Sequence, residues 1–275
     1  MEGGAEDIPV AVRGDPVQAG EKVPRQFLQV IAGDNPTPFS QGSGRLELAQ
    51  AIIDPANPLT ARVIVNRIWL HHFGQGLVRT PGNFGRLGES PTHPQLLDYL
   101  AAQLIDSGWS IKRLHRQILL SATYRQSVAE APAKRAQDPD NRLWSRMRVR
   151  RLQAEAIRDT LLAVSGHLDQ RMGGAVVRMQ TPDADAMSRR RALYLMTNRS
   201  DKSGFRFLFD AADPEHVVAQ RNESTVAAQS LFMLNHPFVL QLLPSMAAAA
   251  SRGLAPESSD RELSASIHQL YMRLF

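Results

Sequence analysis

The sequence predicts a mainly α-helical protein with long irregular loops and at most a small β element. Several segments repeat apolar residues at the spacing of a helical face. Most of these segments begin after a Ser, Thr or Asn and end before a glycine, as helices commonly do. No apolar run reaches the roughly 18 to 20 residues that cross a bilayer, so we expect no membrane span.

The composition is that of a folded protein and limits the possible chemistry. Hydrophobic residues make up 43% of the chain and charged residues 21%, which is not the composition of a disordered chain. The chain has no cysteine, which excludes disulfides, thiolate nucleophiles, cysteine-ligated zinc and covalently attached haem. The net charge of +5 is weak evidence for a nucleic-acid partner.

The chain is predicted to consist of an arm and one domain. Residues 1–43 are rich in Gly, Pro and polar residues and lack a helical period, so we expect an extended arm with at most one short strand. Residues 44–275 are predicted to form a single helical domain. Its last helix opens at Ser259 and runs off the end of the sequence.

Capping residues delimit the helices in the first half of this domain. One helix begins near Gly44, and the next has Asn57 as its N-cap. A third runs from an N-capping Thr92 to Gly108, and Ser110 caps a fourth. We expect the second, third and fifth helices to form the core, because the second is apolar nearly all round and the others are amphipathic. The side chains expected to be buried are Trp69, Phe73, Leu97, Leu100, Leu161 and Leu162.

A glycine-rich stretch, residues 74–91, joins the second and third helices. Phosphate loops direct consecutive backbone N–H groups at a ligand from a helix N-terminus, usually after a strand. Here a helix precedes the stretch and the glycines are scattered, so we expect an ordered connector. Gly74 is expected to end the helix in a left-handed conformation. The apolar side chains expected to hold the connector on the core are Leu77, Val78, Phe84 and Leu87.

The second half of the domain contains a fifth helix, a candidate strand and three further helices. The fifth helix ends at Gly166, and "RRRALYLMTN" alternates in the manner of a strand. Two apolar helices then follow, separated at residues 235–237, before the last helix.

The second helix places polar side chains in an apolar arc. Arg62 and Asn66 lie one turn apart between apolar neighbours. A buried guanidinium must be paired, so Arg62 either binds a ligand or forms a structural ion pair. We favour an ion pair with Glu155 and Asp159, because structural networks are the commoner cause of buried charge.

The fifth helix carries Arg151, Glu155, Arg158 and Asp159 on one face, at i, i+3 and i, i+4 spacing. The two carboxylates are a candidate pair for acid–base chemistry. Two arginines beside them suit a scaffold better than a general acid. A shared network with Arg62 is therefore the favoured interpretation.

The chain's eight histidines do not have the spacing of a metal site. His71 and His72 are adjacent, so a helix directs them about 100° apart. No two histidines are separated by i, i+4, and the HExxH motif is absent. We therefore expect no bound metal and no cofactor.

Long motifs occur in order along the chain, among them "TARVIVNRIWLHHFGQGLVR", "GWSIKRLHRQILLSATYRQS", "RLQAEAIRDTLLAVSG" and "QRNESTVAAQSLFMLNHPFV". The sequence from about Pro24 to the end resembles the planctomycete PSD-type domain (domain of unknown function 1553). The resemblance implies no established activity. It implies a position behind a cytochrome-c-like module and a second uncharacterised domain in a large exported or periplasmic protein. This sequence has no haem module and no export signal, and it stops at "LYMRLF" where the family's last helix continues, so the resemblance implies a fragment or a truncated gene product. It also implies a protein partner, namely the haem-bearing or the uncharacterised domain of that parent protein.

Many polar and apolar positions match the pattern of this family. They are Asn66, Arg67, Trp69, His72, Phe73, Gly74, Gly76, His93, Pro94, Arg151, Glu155, Arg158 and Asp159. The polar members and Arg62 form the candidate polar cluster: Arg62, Asn66, Arg67, His72, His93, Arg151, Glu155, Arg158 and Asp159.

Three functions are compatible with these observations. The favoured one is a helical accessory or interaction module of a cell-envelope protein, without catalytic chemistry. The first alternative is a hydrolase or carbohydrate-active domain that uses Glu155 and Asp159. The second is a nucleic-acid-binding module that uses the arginine runs "RMRVRR" and "SRRRA", which lack interleaved aromatic residues and are therefore less favoured.

Overall fold

The computed structural model describes residues 6–129, 132–174, 188–197, 199, 204–251 and 259–274. The chain contains two compact units, an N-terminal unit of residues 1–149 and a C-terminal unit of residues 150–275. The prediction of a single domain from residue 44 onward stays a prediction. The division into two compact units describes contacts within the chain and does not show whether the two units fold as one.

The described residues confirm the mainly α-helical class, with a two-stranded antiparallel sheet as the β element. The strands are β1 (Pro9–Ala11) and β2 (Ala19–Lys22). The helices of the N-terminal unit are α1 (Gln29–Ala32), α2 (Arg45–Ile53), α3 (Thr60–Phe73), α4 (Pro94–Asp106), α5 (Ile111–Leu119) and α6 (Pro132–Gln137). Those of the C-terminal unit are α7 (Ala154–Val164), α8 (Gly204–Leu208), α9 (Ala227–Asn235), α10 (Pro237–Ala250) and α11 (Asp260–Leu274).

The segment predicted as an arm contains a pair of strands rather than one, and it also contains the short helix α1. Strands β1 and β2 pair antiparallel, with Pro9 opposite Lys22. Arg25 then bonds to Asp7 at 2.8 Å, and this bond lowers the pKa of the Asp7 carboxyl.

Helices α3, α4 and α5 enclose the core of the N-terminal unit. Trp69 stacks on Phe73 with ring centroids 4.2 Å apart, and Trp144 stands edge-on to Trp69 at 5.4 Å. Leu97 and Leu100 of α4 are buried in the same cluster. These four predicted core positions, which include Trp69 and Phe73, are therefore confirmed.

Two predicted N-caps do not directly precede their helices, and both side chains also tie neighbouring segments together. Asn57 Oδ1 accepts from the Leu59 N–H at 3.0 Å, so it caps the turn before α3 and not α3 itself, whose N-cap is Leu59. Asn57 precedes α3, but its amide donates to Ile52 O at 3.1 Å and to the Thr60 hydroxyl at 3.1 Å. Thr92 donates from its hydroxyl to Leu77 O, while α4 itself begins after His93. The Ser110 cap of α5 is confirmed, because its side chain accepts from the Arg113 N–H.

The glycine-rich connector is attached to the core at its beginning and at its end. Gly74 has the predicted left-handed conformation, with φ of 78°. Leu77 and Val78 are buried, and the Thr92 N–H donates to Leu77 O at 2.8 Å. The expectation that Leu87 holds the connector is wrong, because that side chain is 92% exposed.

The C-terminal unit has its own hydrophobic clusters. Leu161 and Leu162 of α7 are buried as predicted, but they pack with residues of α10 such as Phe238 and Leu242 rather than with α3 and α4. Phe205 and Phe209 form a second cluster with Ala154. The second, third and fifth predicted helices therefore do not share one core.

The strand predicted for "RRRALYLMTN" is wrong for the described part of that segment, which excludes residue 198. Ala192–Tyr194 forms a single 3-10 turn, and Arg190 makes one isolated parallel bridge to Asp169. The predicted split between two apolar helices at residues 235–237 is confirmed by the bounds of α9 and α10.

Within the described residues, no individual helix has the length and apolar composition needed to cross a membrane. Helices α9 and α10, which meet at an angle of 55°, satisfy that test only when taken together.

Candidate functional site

Asp210 is the centre of a polar network in the C-terminal unit. Its Oδ2 atom accepts hydrogen bonds from Arg151 Nη2, from the Ser224 hydroxyl and from the Ser224 N–H, each at 2.7 Å. The residue has φ of 54°, a left-handed conformation that is uncommon outside glycine. The buried Gln229 of α9 donates to Ser224 O at 3.2 Å and to Leu208 O at 3.0 Å. Asp210 therefore joins the start of α7 to the segment that leads into α9.

Arg158 is the most completely buried charged side chain among the described residues, with 1% of its surface exposed. Its guanidinium donates to Arg190 O at 2.7 Å, to Ser188 O, and to Asp159 Oδ1 at 3.1 Å. The same Asp159 oxygen accepts from the Ala192 N–H at 2.9 Å. Arg158 and Asp159 thus hold the 188–192 segment against α7.

Glu155 is the more exposed of the two candidate acid–base carboxylates. Its Oε2 atom accepts a hydrogen bond from Arg221 at 2.8 Å, and about a third of each side chain is exposed. The structure thus brings Glu155, Arg158 and Asp159 together on α7, whereas Arg151 lies before that helix; each of the four bonds to a segment beyond α7. Whether this face also binds a ligand stays a prediction.

The predicted bond between Arg62 and the fifth helix is wrong. Arg62 Nε lies 2.6 Å from Asp98 Oδ1, in the next helix α4, and Nη1 donates to Pro58 O. The two side chains are 37% and 54% exposed, so the guanidinium is not the buried group that the apolar arc suggested. An exposed pair of this kind contributes about 0–1 kcal/mol to stability, and not the 3–5 kcal/mol expected for a buried pair.

Asn66 binds the glycine-rich connector through both ends of its amide. Its side chain is fully buried, donates to Val78 O at 3.0 Å and accepts from the Val78 N–H at 2.8 Å. Gly76 passes so close that a Cβ atom there would lie 2.5 Å from Val78 O and 2.7 Å from the Asn66 amide. The neighbouring Arg67 is exposed. Asn66 therefore attaches the connector to α3 through two hydrogen bonds.

The two candidate histidines lie in different surroundings. His72 Nε2 is 2.6 Å from His115 Nδ1. One of these two nitrogens is an N–H donor, and the other accepts the hydrogen bond. The Tyr124 ring stands edge-on to His72. His93 instead lies 3.1 Å from the hydroxyl of Thr92, next to the start of α4.

Arginines of the two basic runs bond to the protein. Arg146 donates to Asp138 O and Pro139 O, and Arg148 bonds to Gln75. Arg190 donates to Gly173 O at 2.7 Å. These guanidinium groups have structural partners, whereas Arg189 and Arg191 of the second run are exposed.

One group of three potential metal ligands occurs in the described part of the chain. Asp213, Glu215 and His216 place their ligand atoms within 4.8 Å of one another, and all three are exposed. His216 Nδ1 lies 2.9 Å from Asp213 Oδ2. The sequence motif "DPEH" already brings these residues close together, and no feature beyond that spacing points to an ion.

The carboxyl of Asp169 gives the structure an acid-sensitive bond. Hydrogen bonds from Arg171 lower the pKa of Asp169 from 3.8 to about 2. Because the pKa is lower in the folded chain, this bond stabilises the fold fully above about pH 4 and is lost as the pH falls through 2. We expect the carboxyl shift of Asp169 to titrate with a midpoint below pH 3 by NMR, and Arg171→Ala to return that midpoint towards 3.8. A midpoint near 4 in the unsubstituted chain would contradict this.

Sequence reasoning missed most of the partners of the candidate residues. Asp98 and His115 were not considered as partners of Arg62 and His72. Nothing in the sequence of the segment before α9 identified Asp210 as the partner of Arg151. The only available signal was the concentration of Asp, Glu, Arg and Ser in residues 210–225.

The fold and these networks define a mainly α-helical domain in which candidate site residues bond to loop segments. A family model described as PSD1, protein of unknown function (DUF1553), matches residues 44–275, and the chain belongs to this family. Comparison with curated proteins and with solved structures found no match.

Proposed function

We propose that this chain is a non-catalytic helical accessory or interaction module of a larger cell-envelope protein. Its partner in this proposal is the haem-bearing or the uncharacterised domain of the parent protein, as the resemblance to planctomycete PSD-type domains implies. Membership of the family of unknown function is compatible with such a module and assigns no reaction to it.

The exposed apolar residues of α2 are the observation that carries the proposal; Leu46 and Ile53 lie on one face of this helix, and Leu48 and Ile52 lie on the opposite one. Every residue of this helix is partly or fully exposed, although four of its nine residues are Leu or Ile. Leu46 and Ile53 are each more than half exposed, and Leu48 and Ile52 only slightly less. Exposed apolar groups that lie together on one element are typical of protein interaction surfaces.

The bonds of the candidate carboxylates support a non-catalytic role. Glu155, Asp159 and Asp210 each accept a hydrogen bond from an arginine of the same unit. Asp159 and Asp210 also accept from backbone N–H groups, which fixes their orientation. Carboxylate oxygens used in this way bind the protein to itself, which suits a scaffold.

We test the proposal with the cytochrome-c-like domain and the uncharacterised domain of the parent protein, each expressed separately. Sedimentation velocity is expected to detect a complex of this chain with at least one of them. In the haem-bearing case the haem absorbance identifies the complex. Leu46→Glu combined with Ile53→Glu should weaken that complex at least about tenfold, because each change places a charge in an apolar contact.

The matched control is Arg45→Glu, which changes the net charge by the same amount at an exposed position of the same helix, about 90° round its axis from Leu46 and Ile53. This variant should retain most of the affinity, and circular dichroism should show that all variants remain helical. If neither domain forms a complex, the proposed partners are wrong. If the double variant binds as well as Arg45→Glu, the face of α2 that contains Leu46 and Ile53 is not the interaction surface.

A further inference from the structure

Two histidines of the N-terminal unit lie side by side although 43 positions separate them in the sequence. His72 is in the last turn of α3, and His115 is in α5. The Nε2 atom of His72 lies 2.6 Å from the Nδ1 atom of His115, and the two ring planes cross at 76°. Each ring therefore presents a nitrogen to the gap between the two helices.

The hydrophobic core fixes the backbone from which both rings extend. Phe73 follows His72 and Leu114 precedes His115, and these two apolar side chains are buried in the same cluster. The Tyr124 ring stands edge-on to both His72 and Phe73. The two imidazole side chains themselves are partly exposed. The histidine pair therefore lies at the edge of a packed core, where solvent contacts both side chains.

Two neutral imidazole nitrogens are ligands that suit divalent transition-metal cations. Imidazole binds Zn²⁺, Cu²⁺ and Ni²⁺ well, whereas Mg²⁺ and Ca²⁺ prefer oxygen ligands. A tetrahedral Zn²⁺ ion with Zn–N bonds of about 2.0–2.1 Å separates two ligand atoms by about 3.3 Å. Small rotations of the two partly exposed rings supply the additional separation of about 0.7 Å. One nitrogen already has a lone pair directed at the other ring, and the second gains one when its proton moves to the other nitrogen of the same ring.

The charges near the pair both favour and oppose a cation. His72 is the last residue but one of α3, and the carbonyl groups at a helix C-terminus give it a partial negative charge. The exposed cations of α5 (Lys112, Arg113 and Arg116) oppose a bound cation, but water and salt screen them. Two protein ligands beside these cations predict weaker binding than at a structural zinc site with four protein ligands.

We propose that His72 and His115 together bind a divalent transition-metal cation such as Zn²⁺. The ligand atoms are His72 Nε2 and His115 Nδ1, and water molecules complete the coordination sphere. The histidine spacing along the chain predicted no metal because this pair comes from two different helices. The site uses no residue of α2, so failure of this proposal and failure of the proposed function are distinguishable.

A titration of the whole chain with Zn²⁺, followed by ¹⁵N NMR of the histidine side chains, tests the proposal. We expect saturable shifts of the ring nitrogens of both His72 and His115, because both bind the ion directly. Mg²⁺ at the same concentrations should leave these two rings unchanged. Absence of a response of either ring to Zn²⁺ overturns the proposal, and so does an equal response to Mg²⁺.

Substitutions locate the bound ion. His72→Gln and His115→Gln each remove one of the two ligands, so each should weaken Zn²⁺ binding, measured by calorimetry, at least about tenfold. His216→Gln is the matched control, because His216 belongs to the exposed group with Asp213 and Glu215 and should not affect this site. Unchanged affinity in either ligand variant, or an equal loss in His216→Gln, overturns the assignment. If circular dichroism shows that a ligand variant does not fold, the ring shifts of the unsubstituted chain decide.

Discussion

Replacement of Arg158 by methionine is expected to lower the free energy of unfolding of the C-terminal unit by about 3–5 kcal/mol. Methionine occupies much of the volume of the arginine stem but supplies no donors. Ser188 O and Arg190 O then lose their guanidinium partner, and Asp159 loses its cation. Urea unfolding followed by far-ultraviolet circular dichroism measures the loss.

Arg189→Met is the matched control for this experiment, since Arg189 lies in the segment that Arg158 holds and is exposed. It should change stability by no more than about 0.5 kcal/mol. Arg158→Lys keeps the charge but cannot reach several acceptors at once, so an intermediate loss is expected. If Arg158→Met stays within 1 kcal/mol of the unsubstituted chain, the network is not a stabilising element.

The second large effect is expected at Asn66. Asn66→Leu keeps a similar shape but leaves the Val78 N–H and C=O groups buried without partners. Each such group costs about 1–3 kcal/mol, so we expect a loss of roughly 2–5 kcal/mol. Urea unfolding followed by tryptophan fluorescence is a suitable measurement, because Trp69 lies in the same helix as Asn66.

Hydrogen exchange distinguishes loss of this contact from general destabilisation. The Val78 amide should exchange faster in Asn66→Leu than other buried amides of the same unit, whose protection reports global unfolding. Arg67→Leu, at the exposed neighbouring position, should leave both stability and exchange nearly unchanged. Equal acceleration at all amides would show that Asn66 has no specific role in the connector.

The helices could be predicted from the sequence because their signals are local. The apolar period of α3 and α4, the left-handed Gly74 and the break before Pro237 each depend on a few neighbouring residues. The caps failed where a side chain had a longer-range alternative. Asn57 reaches back to α2 and Thr92 reaches back to Leu77, and these bonds depend on how the segments pack.

The sequence could predict which residues belong to the candidate polar cluster, but not which groups they bond to. The spacing predicted Arg151, Glu155, Arg158 and Asp159 on one helical face; the structure has the last three in α7, but Arg151 precedes the helix and still bonds to the same unit through Asp210. Their partners are separated from them by 30 to 66 residues, apart from the Arg158–Asp159 contact. Helical periodicity contains no information about such pairs. For the same reason it assigned Arg62 to the fifth helix instead of to Asp98 in α4.

The hydrogen bonds of the buried Asn66 amide determine how this fold responds to the redox potential of its surroundings. Its bonds to Val78 close a loop of 12 residues, and the Arg151–Asp210 bond closes one of 59. Many proteins close such loops with disulfides, whose presence depends on the redox potential of the compartment. This sequence has no cysteine, and its loops are closed by groups that neither gain nor lose electrons. Reductants therefore do not break the bonds that close these loops. The strength of these bonds is the same in a reducing and in an oxidising compartment.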